Sequence, residues 1–187
     1  YEADDLIGTV ARLGEENDFK VYIVTGDKDA IQLASHKTTT LITKKGVGEV
    51  EEYDYDSVLE RYEMTPTQFI DLKGLMGDKS DNIPGVPGVG EKTGIKLLKQ
   101  YSTIENLIEH TDELKGSIKK KIEENKDLAL MSKELATIIT NVPIEVKLAD
   151  VACGDYNKDD VVEKFKEFGF TSLITKLLDI EGGETTI

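Results

Sequence analysis

The order of apolar and polar residues predicts that the chain begins with alternating helices and strands. Apolar residues recur at helical spacing over residues 2–16, which predicts an amphipathic helix. The apolar run at residues 21–24 is typical of a buried strand. A short helix, a strand, a turn and a third strand are then predicted at residues 30–34, 38–43, 44–46 and 48–54. This order predicts an α/β layer.

From residue 57 onward the pattern is helical. Helical spacing recurs in eight segments, at residues 57–62, 67–76, 91–101, 103–110, 117–124, 126–139, 159–168 and 171–178. The sequence therefore predicts an α/β layer over residues 1–65, a helical annex over residues 66–181, and the start of a flexible connector at residues 182–187.

Composition limits the class of protein. The 187 residues can form one domain with a core of its own, or one core with a small annex. No apolar run approaches the ~20 residues of a membrane span, and the single cysteine, Cys153, fits a reducing cytosol.

The formal net charge of −14 should repel nucleic acid unless metal ions neutralise the acidic groups and the basic groups lie elsewhere. The chain begins at Tyr1 within a predicted helix, which suggests a part of a longer polypeptide.

Acidic residues gather in three places. Glu2, Asp4 and Asp5 open the first helix, Asp27 and Asp29 follow the first strand, and Asp78 and Asp81 lie in a glycine-rich loop. Each group alone has a simpler explanation, because acidic residues favour helix N-termini and Asp favours turns.

Taken together, these carboxylates predict a metal site. Functional groups collect at the carboxyl ends of strands in open α/β sheets, where Asp27 and Asp29 are expected. One helical turn would bring Asp78 and Asp81 to one side. Like charges held close repel unless a cation lies between them, and carboxylates without His or Cys favour Mg²⁺ or Mn²⁺. Two such ions about 3.5–4 Å apart are the usual device for hydrolysing a phosphodiester.

The sequence VPGVGEKT at residues 86–93 predicts a tight turn that leads into a helix. Gly88 and Gly90 would allow a positive φ and a close approach to a ligand, and the N–H groups of the helix start would point outward. Because Lys92 and Lys96 follow, the turn could hold a DNA phosphate without reading bases. Its carbonyl groups could also hold a monovalent cation. The alternatives are a plain corner between helices and a dinucleotide loop, which would need a third glycine and a preceding strand.

Four longer stretches resemble the 5′-nuclease domain at the N-terminus of bacterial DNA polymerase I, a family related to flap endonucleases and phage 5′-exonucleases. These stretches are YEADDLIGTVA, YIVTGDKDAIQL, LITKKGVGEVEEYD and DLKGLMGDKSDNIPGVPGVGEKTGIKLLKQY. The resemblance runs from Tyr1 to about Leu178. It implies the C-terminal part of a PIN-like α/β nuclease core over residues 1–65 and a helical DNA-binding subdomain with a helix-hairpin-helix over residues 66–181.

The resemblance also implies a function and its residues. The activity would be metal-dependent 5′→3′ hydrolysis of DNA at flaps and 5′ ends during replication and repair, with two Mg²⁺ or Mn²⁺ ions. The matching acidic residues are Glu2, Asp4 and Asp5 at the first ion, and Asp27, Asp29, Asp78 and Asp81 around the second. The matching DNA-binding residues are Gly85, Val86, Gly88, Val89, Gly90, Lys92, Thr93 and Lys96.

The implied partners are duplex DNA with a 5′ flap or 5′ end and a polymerase domain in the same polypeptide, with K⁺ expected at the hairpin. We expect a cytoplasmic, nucleoid-associated monomer that does not bind membranes. The family's first strand, with further Asp ligands, and its basic helical arch would precede Tyr1, so these residues alone are expected to be inactive. Two alternatives remain: a stand-alone 5′→3′ exonuclease, and a non-catalytic DNA-binding module.

Overall fold

A computed structural model describes residues 1–44, 49–152, 154 and 156–179. Cys153, most of the predicted turn at residues 44–46 and the predicted connector at residues 182–187 lie outside this part. The chain divides into two compact units, residues 1–145 and 146–187. The boundary predicted between residues 65 and 66 stays a prediction.

The first unit opens with the predicted α/β layer. Helix α1 (Ala3–Glu16) packs against strand β1 (Val21–Thr25), and a 3₁₀ helix (Lys28–Leu33) connects β1 to β2 (Thr38–Thr43). The strand order is β1-β2-β3, with β1 parallel to β2 and β2 antiparallel to β3 (Val50–Tyr53). Asp27 and Asp29 therefore follow the carboxyl end of a parallel strand, as predicted.

The prediction of a buried first strand is wrong for one of its two faces. Ile23 is 5% exposed, whereas Tyr22 and Val24 are 62% and 60% exposed. β1 lies at the edge of the sheet, and its outer face forms an open apolar groove with side chains of α1. A continuous apolar run cannot show whether one face of a strand is covered or both, because periodicity reports only the residue pattern.

Helices follow the sheet, as predicted. They are α2 (Tyr55–Tyr62), α3 (Gln68–Met76), α4 (Glu91–Tyr101), α5 (Ile104–Glu109), a 3₁₀ turn (Thr111–Glu113), α6 (Gly116–Glu124) and α7 (Lys126–Ala136). The core between α3, α4, α5 and α6 contains Leu75, Leu98, Ile104, Leu107 and Ile122, each 1% exposed or less. Inside this core the carboxylate of Asp71 accepts the N–H of Ile104 at 2.9 Å and pairs with Lys133 at 2.7 Å, which joins α3, α5 and α7.

The spacing predicted that this helix would extend to residue 139, but helix α7 ends at Ala136. The chain continues as Thr-Ile-Ile-Thr, and these β-branched residues are poor helix formers. Gln32 then holds the extended segment, since its amide donates to the carbonyl of Ala136 at 3.0 Å and accepts the N–H of Ile138 at 2.9 Å. The segment returns the chain from the helices to the α/β layer.

The second unit is a pair of helices after a 3₁₀ turn (Leu148–Val151). Helix α8 (Lys158–Glu167) packs against α9 (Thr171–Asp179), with Phe165 and Phe170 in ring contact. Across both units, no helix among the described residues has the length and apolar character needed to cross a lipid bilayer.

Candidate metal centre and nucleic-acid interface

Three of the predicted ligands converge at one point. Asp29, Asp78 and Asp81 each offer a carboxylate oxygen, and these oxygens lie within 4.8 Å of one another. Asp29 stands in the first turn of the 3₁₀ helix after β1, while Asp78 and Asp81 lie in the loop after α3. The fold therefore brings together residues that are separated by about fifty positions in the chain.

The loop that carries Asp78 and Asp81 is a bridged turn and not the predicted helical turn. The N–H of Asp78 donates to the carbonyl of Ile83 at 2.9 Å, and the N–H of Ile83 donates back to Asp78 at 2.7 Å. Oδ1 of Asp78 also accepts the N–H of Ser80 at 2.8 Å, and Asn82 has a left-handed φ of 58°. The two carboxylates still reach the same side, because this Asx turn closes the loop tightly.

Asp27 caps the adjacent 3₁₀ helix. Its side chain accepts the N–H of Asp29 at 2.9 Å, while its own N–H donates to the hydroxyl of Thr25 at 3.0 Å. Asp27 is close enough to Asp4 and Asp29 for its charge to raise the pKa of both. Its charge therefore acts on both Asp4 and Asp29, although the converging set of oxygens does not include Asp27 among the described residues.

Lys73 also belongs to this cluster and was not predicted from the sequence. From α3 its ammonium group forms an ion pair with Asp29 and lies 2.7 Å from Oδ2 of Asp78 and 3.8 Å from Oδ2 of Asp81. The side chain is only 12% exposed. The sequence did contain a signal for a buried lysine. Lys73 follows Leu72 in the largely apolar helix QFIDLKGLM, so its neighbours are expected to be buried.

Burial and Lys73 shift the titration of the cluster in opposite directions. Burial raises the pKa of Asp29 above its usual value, although the hydrogen bond from Lys73 opposes this shift. Hydrogen bonds from Lys73 and Ser80 lower the pKa of Asp78 to about 2. The pKa of Lys73 is raised because its bonds to the two carboxylates outweigh its burial. The cluster thus gathers carboxylate oxygens, which are donors of the hard type that Mg²⁺ and Mn²⁺ prefer, around the ammonium group of Lys73.

The first acidic group lines the same cleft. An open cleft of about 530 Å³ is bordered by Glu2, Asp4, Asp5, Asp29 and Asp81, together with the end of α7 and the segment that follows it. The cleft therefore brings the acidic residues at the start of α1 together with Asp29 and Asp81.

Within the first group, Asp5 has a structural task. One of its carboxylate oxygens accepts the N–H of Glu2 at 2.9 Å, and the other accepts the N–H of Ile139 at 2.8 Å. These backbone donors lower the pKa of Asp5. The pKa of neighbouring Asp4 is raised by burial and by the charges of Asp27, Asp5 and Asp81. Asp4 is therefore freer than Asp5 to take a new ligand.

The predicted hairpin is present, but three of its predicted DNA-binding residues face inward. Val86 and Val89 are 2% and 4% exposed and belong to the helical core. The N–H of Gly85 donates to the hydroxyl of Ser132 at 3.0 Å, and a Cβ at Gly85 would strike the backbone of Gly77. These three residues anchor the short turn, which leaves the others for contact with a ligand.

The outward residues of the hairpin form a compact polar edge. Gly88, Gly90, Lys92, Thr93 and Lys96 are exposed. Gly90 is the N-cap of α4, so the first N–H groups of that helix have no partner within the helix.

The two glycines of the hairpin differ in conformation. Gly88 has the predicted positive φ, 75°, whereas Gly90 has a φ of −107°. Of the two glycines expected to allow a positive φ, only Gly88 therefore uses one. Lys121 from α6 donates to the carbonyl of Gly88 at 2.8 Å, so an ammonium group already occupies one carbonyl of the turn expected to hold K⁺.

Comparisons with known proteins agree with this arrangement. Residues 1–63 match the family described as 5′-3′ exonuclease, N-terminal resolvase-like domain, and residues 64–159 match the family described as 5′-3′ exonuclease, C-terminal SAM fold. The chain is 55% identical to DNA polymerase I of Bacillus subtilis over 178 residues. This alignment covers 95% of this chain and 20% of the relative. It is 49% identical to DNA polymerase I of Lactococcus lactis over 189 residues, and this alignment covers 100% of this chain and 22% of the relative. The chain therefore spans about a fifth of the length of these relatives.

Solved structures share the fold. A bacteriophage T5 5′-exonuclease with bound zinc matches with a TM-score of 0.65 and 25% identity, over 74% of this chain and 51% of that one. The bacteriophage T5 flap endonuclease in a complex with DNA and metal ions matches with a TM-score of 0.65 and 25% identity, over 74% of this chain and 50% of that one. The catalytic core of Rad2 in complex with DNA shares the fold alone. It matches with a TM-score of 0.57 and 20% identity, over 89% of this chain and 57% of that one. These matches confirm the fold class predicted from the sequence.

Proposed function

Because the chain belongs to the 5′-3′ exonuclease domain of bacterial DNA polymerase I, we propose that it supplies ligands for two divalent ions and the duplex grip of a structure-specific nuclease. The substrate is DNA with a 5′ flap or a 5′ end, and the reaction is hydrolysis of a phosphodiester. The observation that carries the proposal is the convergence of Asp29, Asp78 and Asp81 within 4.8 Å.

The acidic residues divide the work between two ions. Asp29, Asp78 and Asp81 hold one divalent ion, with Asp27 beside them, and Glu2, Asp4 and Asp5 serve the other. Such ions activate water and stabilise the charge that develops on the phosphate. Ser80 fixes the direction of the Asp78 carboxylate through its N–H at 2.8 Å. The bridge between Asp78 and Ile83 closes the loop on itself and so limits the positions that the Asp78 carboxylate can take.

The hairpin grips the duplex. Lys92 and Lys96 are exposed on the first turns of α4, next to the exposed Gly88 and Gly90. Backbone N–H groups and ammonium groups bind phosphates without distinguishing bases, so the grip is independent of sequence. Val86 and Val89 anchor the turn in the core, which keeps the distance between grip and acidic cleft constant.

The metal assignment is tested by a single substitution in a polypeptide that carries this chain within a complete nuclease region. We expect Asp78→Asn to slow cleavage of a 5′-flap duplex by at least about 100-fold, because a charged ligand of the ion is lost. The matched control is Asp127→Asn, which neutralises an exposed carboxylate in the first turn of α7. Rates are measured in Mg²⁺ and in EDTA. Cleavage that survives Asp78→Asn, or that continues in EDTA, would refute the assignment.

A further inference from the structure

We propose that Lys73 is the resident counter-ion of the acidic cluster formed by Asp29, Asp78 and Asp81, and that a divalent ion must displace its ammonium group in order to bind. The inference rests on the proposed metal site and identifies a residue that sets the affinity of that site. Lys73 itself lies on α3, one turn before the loop that carries two of the three carboxylates.

The ammonium group lies among the oxygens that the ion would use. Nζ of Lys73 is paired with Oδ1 of Asp29, lies 2.7 Å from Oδ2 of Asp78 and lies 3.8 Å from Oδ2 of Asp81. With its side chain 12% exposed, Lys73 differs from surface lysines that sample many positions. The cluster is therefore neutralised in part by the protein itself.

A divalent ion and this ammonium group cannot share the site as it stands. Mg²⁺ holds its oxygen ligands at about 2.0–2.1 Å, so an ion on Oδ2 of Asp78 would lie within about 5 Å of Nζ of Lys73. Positive charges at that separation repel strongly in a partly buried site. Ion binding therefore requires the side chain of Lys73 to leave the carboxylates.

Lys73 contributes less to the orientation of the carboxylates than to their charge balance. Asp78 keeps its bond from the N–H of Ser80 and both backbone bonds to Ile83 when Lys73 is removed. Asp29 stays tied to Asp27, whose side chain accepts its N–H at 2.9 Å. We therefore expect the removal of Lys73 to relieve repulsion at the ion while these hydrogen bonds keep the carboxylates in place.

The test is calorimetric titration of the 187-residue chain with Mn²⁺ in the absence of DNA. We expect Lys73→Met to lower the Kd for Mn²⁺ by about tenfold or more, because the competing charge is gone. Lys73→Arg keeps the charge and should stay within about threefold of the unchanged chain. The control is Lys37→Met. Lys37 pairs with Asp18 and directly precedes β2, so it lies at the end of the parallel strand pair opposite to Asp29. This substitution should change the Kd by less than about twofold.

Thermal unfolding supplies a second readout. In EDTA, Lys73→Met should lower the Tm, since three carboxylates lose their counter-ion, and saturating Mn²⁺ should raise the Tm more in this variant than in the unchanged chain. A merely structural lysine would lower the Tm without any gain in metal affinity.

The outcomes separate this inference from the proposed function. If the unchanged chain binds Mn²⁺, Asp78→Asn weakens that binding, and a folded Lys73→Met binds no more tightly, the counter-ion role is wrong while the metal site stands. If neither the unchanged chain nor Lys73→Met binds Mn²⁺, the metal site itself is wrong and both proposals fall.

Discussion

At the scale of single residues, Asp4 and Asp5 show how position decides the behaviour of a carboxylate. The two are neighbours at the start of α1, yet the pKa of Asp5 is lowered by the N–H groups of Glu2 and Ile139. The pKa of Asp4 is raised, first by burial and then by the charge of Asp27. One charge therefore stabilises the fold, whereas the other opposes it.

The first prediction concerns the pH dependence of stability at Asp5. Because its pKa is lower in the folded state, its stabilisation is complete above the unfolded value of about 3.9 and is lost as pH falls through the folded value. We expect Asp5→Asn to lower the free energy of unfolding by about 2 kcal/mol at pH 7, since two charge-assisted hydrogen bonds weaken. The difference between variant and unchanged chain should shrink at about pH 3. Urea denaturation at both pH values measures it.

Asp4→Asn provides the control for this prediction. The raised pKa of Asp4 means that its ionised form costs stability at neutral pH, so removing the charge should increase the free energy of unfolding at pH 7. An equal loss of stability for Asp5→Asn at both pH values would show that its contribution is not electrostatic.

At the scale of elements, the hairpin of residues 85–93 combines an anchored side and an open side. Val86 and Val89 insert into the helical core, and the exposed Gly88 and Gly90 alternate with them. The open side leads directly into α4, where Lys92 adds charge. A surface of this kind suits contact with a phosphate backbone.

The second prediction concerns Lys92. Lys92→Ala should weaken binding of this chain to two unrelated duplexes by the same factor and reduce the slope of log K against log salt by about 1, because one phosphate contact is lost. Equilibrium binding at several salt concentrations gives both quantities. A loss confined to one duplex would indicate base reading and contradict the proposed grip.

The third prediction separates the two glycines of the turn. Gly88→Val should cost about 1–3 kcal/mol of stability, since its φ of 75° disfavours a β-branched residue. A Cβ there would also come within 2.5 Å of the Nζ of Lys121. Gly90→Val should cost about 1 kcal/mol or less, because no atom lies within 4 Å of its Cβ position and only the N-cap preference is lost.

Gly90→Val is therefore the cleaner test of close approach to DNA. We expect it to reduce duplex affinity while the circular dichroism spectrum stays unchanged, because the added methyl groups stand between backbone and phosphate. If Lys92→Ala and Gly90→Val both bind DNA normally, the hairpin is a structural corner and nothing more.

At the scale of the whole molecule, a net charge of −14 does not by itself oppose the proposed DNA binding, because acidic and basic residues lie on different surfaces. Six acidic residues border one cleft, whereas Lys92 and Lys96 lie beside the hairpin, along a surface groove that also includes Lys115. The proposed function assigns the acidic surface to cation binding and the basic surface to phosphate binding. The total charge says little about either surface.

The fourth prediction concerns the activity of the 187 residues by themselves. We expect this chain to bind flap DNA through the hairpin but to cleave it very poorly in Mg²⁺, because the family resemblance implies further ligands and a basic arch before Tyr1. Adding that segment should restore cleavage. A robust rate from the 187 residues, with Asp27→Ala inactive as the matched control, would show that the added segment is dispensable.

The sequence by itself determined the elements and the positions of the chemistry. Helix and strand periods are local, so α4 and β2 could be predicted to the residue. The acidic motifs and the Gly-x-Gly turn are also local. An apolar run directly precedes Asp27 and Asp29, and this run is enough to place both residues at the carboxyl end of a strand.

Only the tertiary structure decided how these parts are used. The contacts that set the roles of Lys73 and Asp5 join residues 44 and 134 positions apart, and no local period encodes such pairs. The same holds for Val86 and Val89, whose burial depends on helices that lie before and after them in the chain. The residues of β1 likewise could not show which of its faces is covered, because an apolar run does not distinguish a strand covered on one face from a strand covered on both.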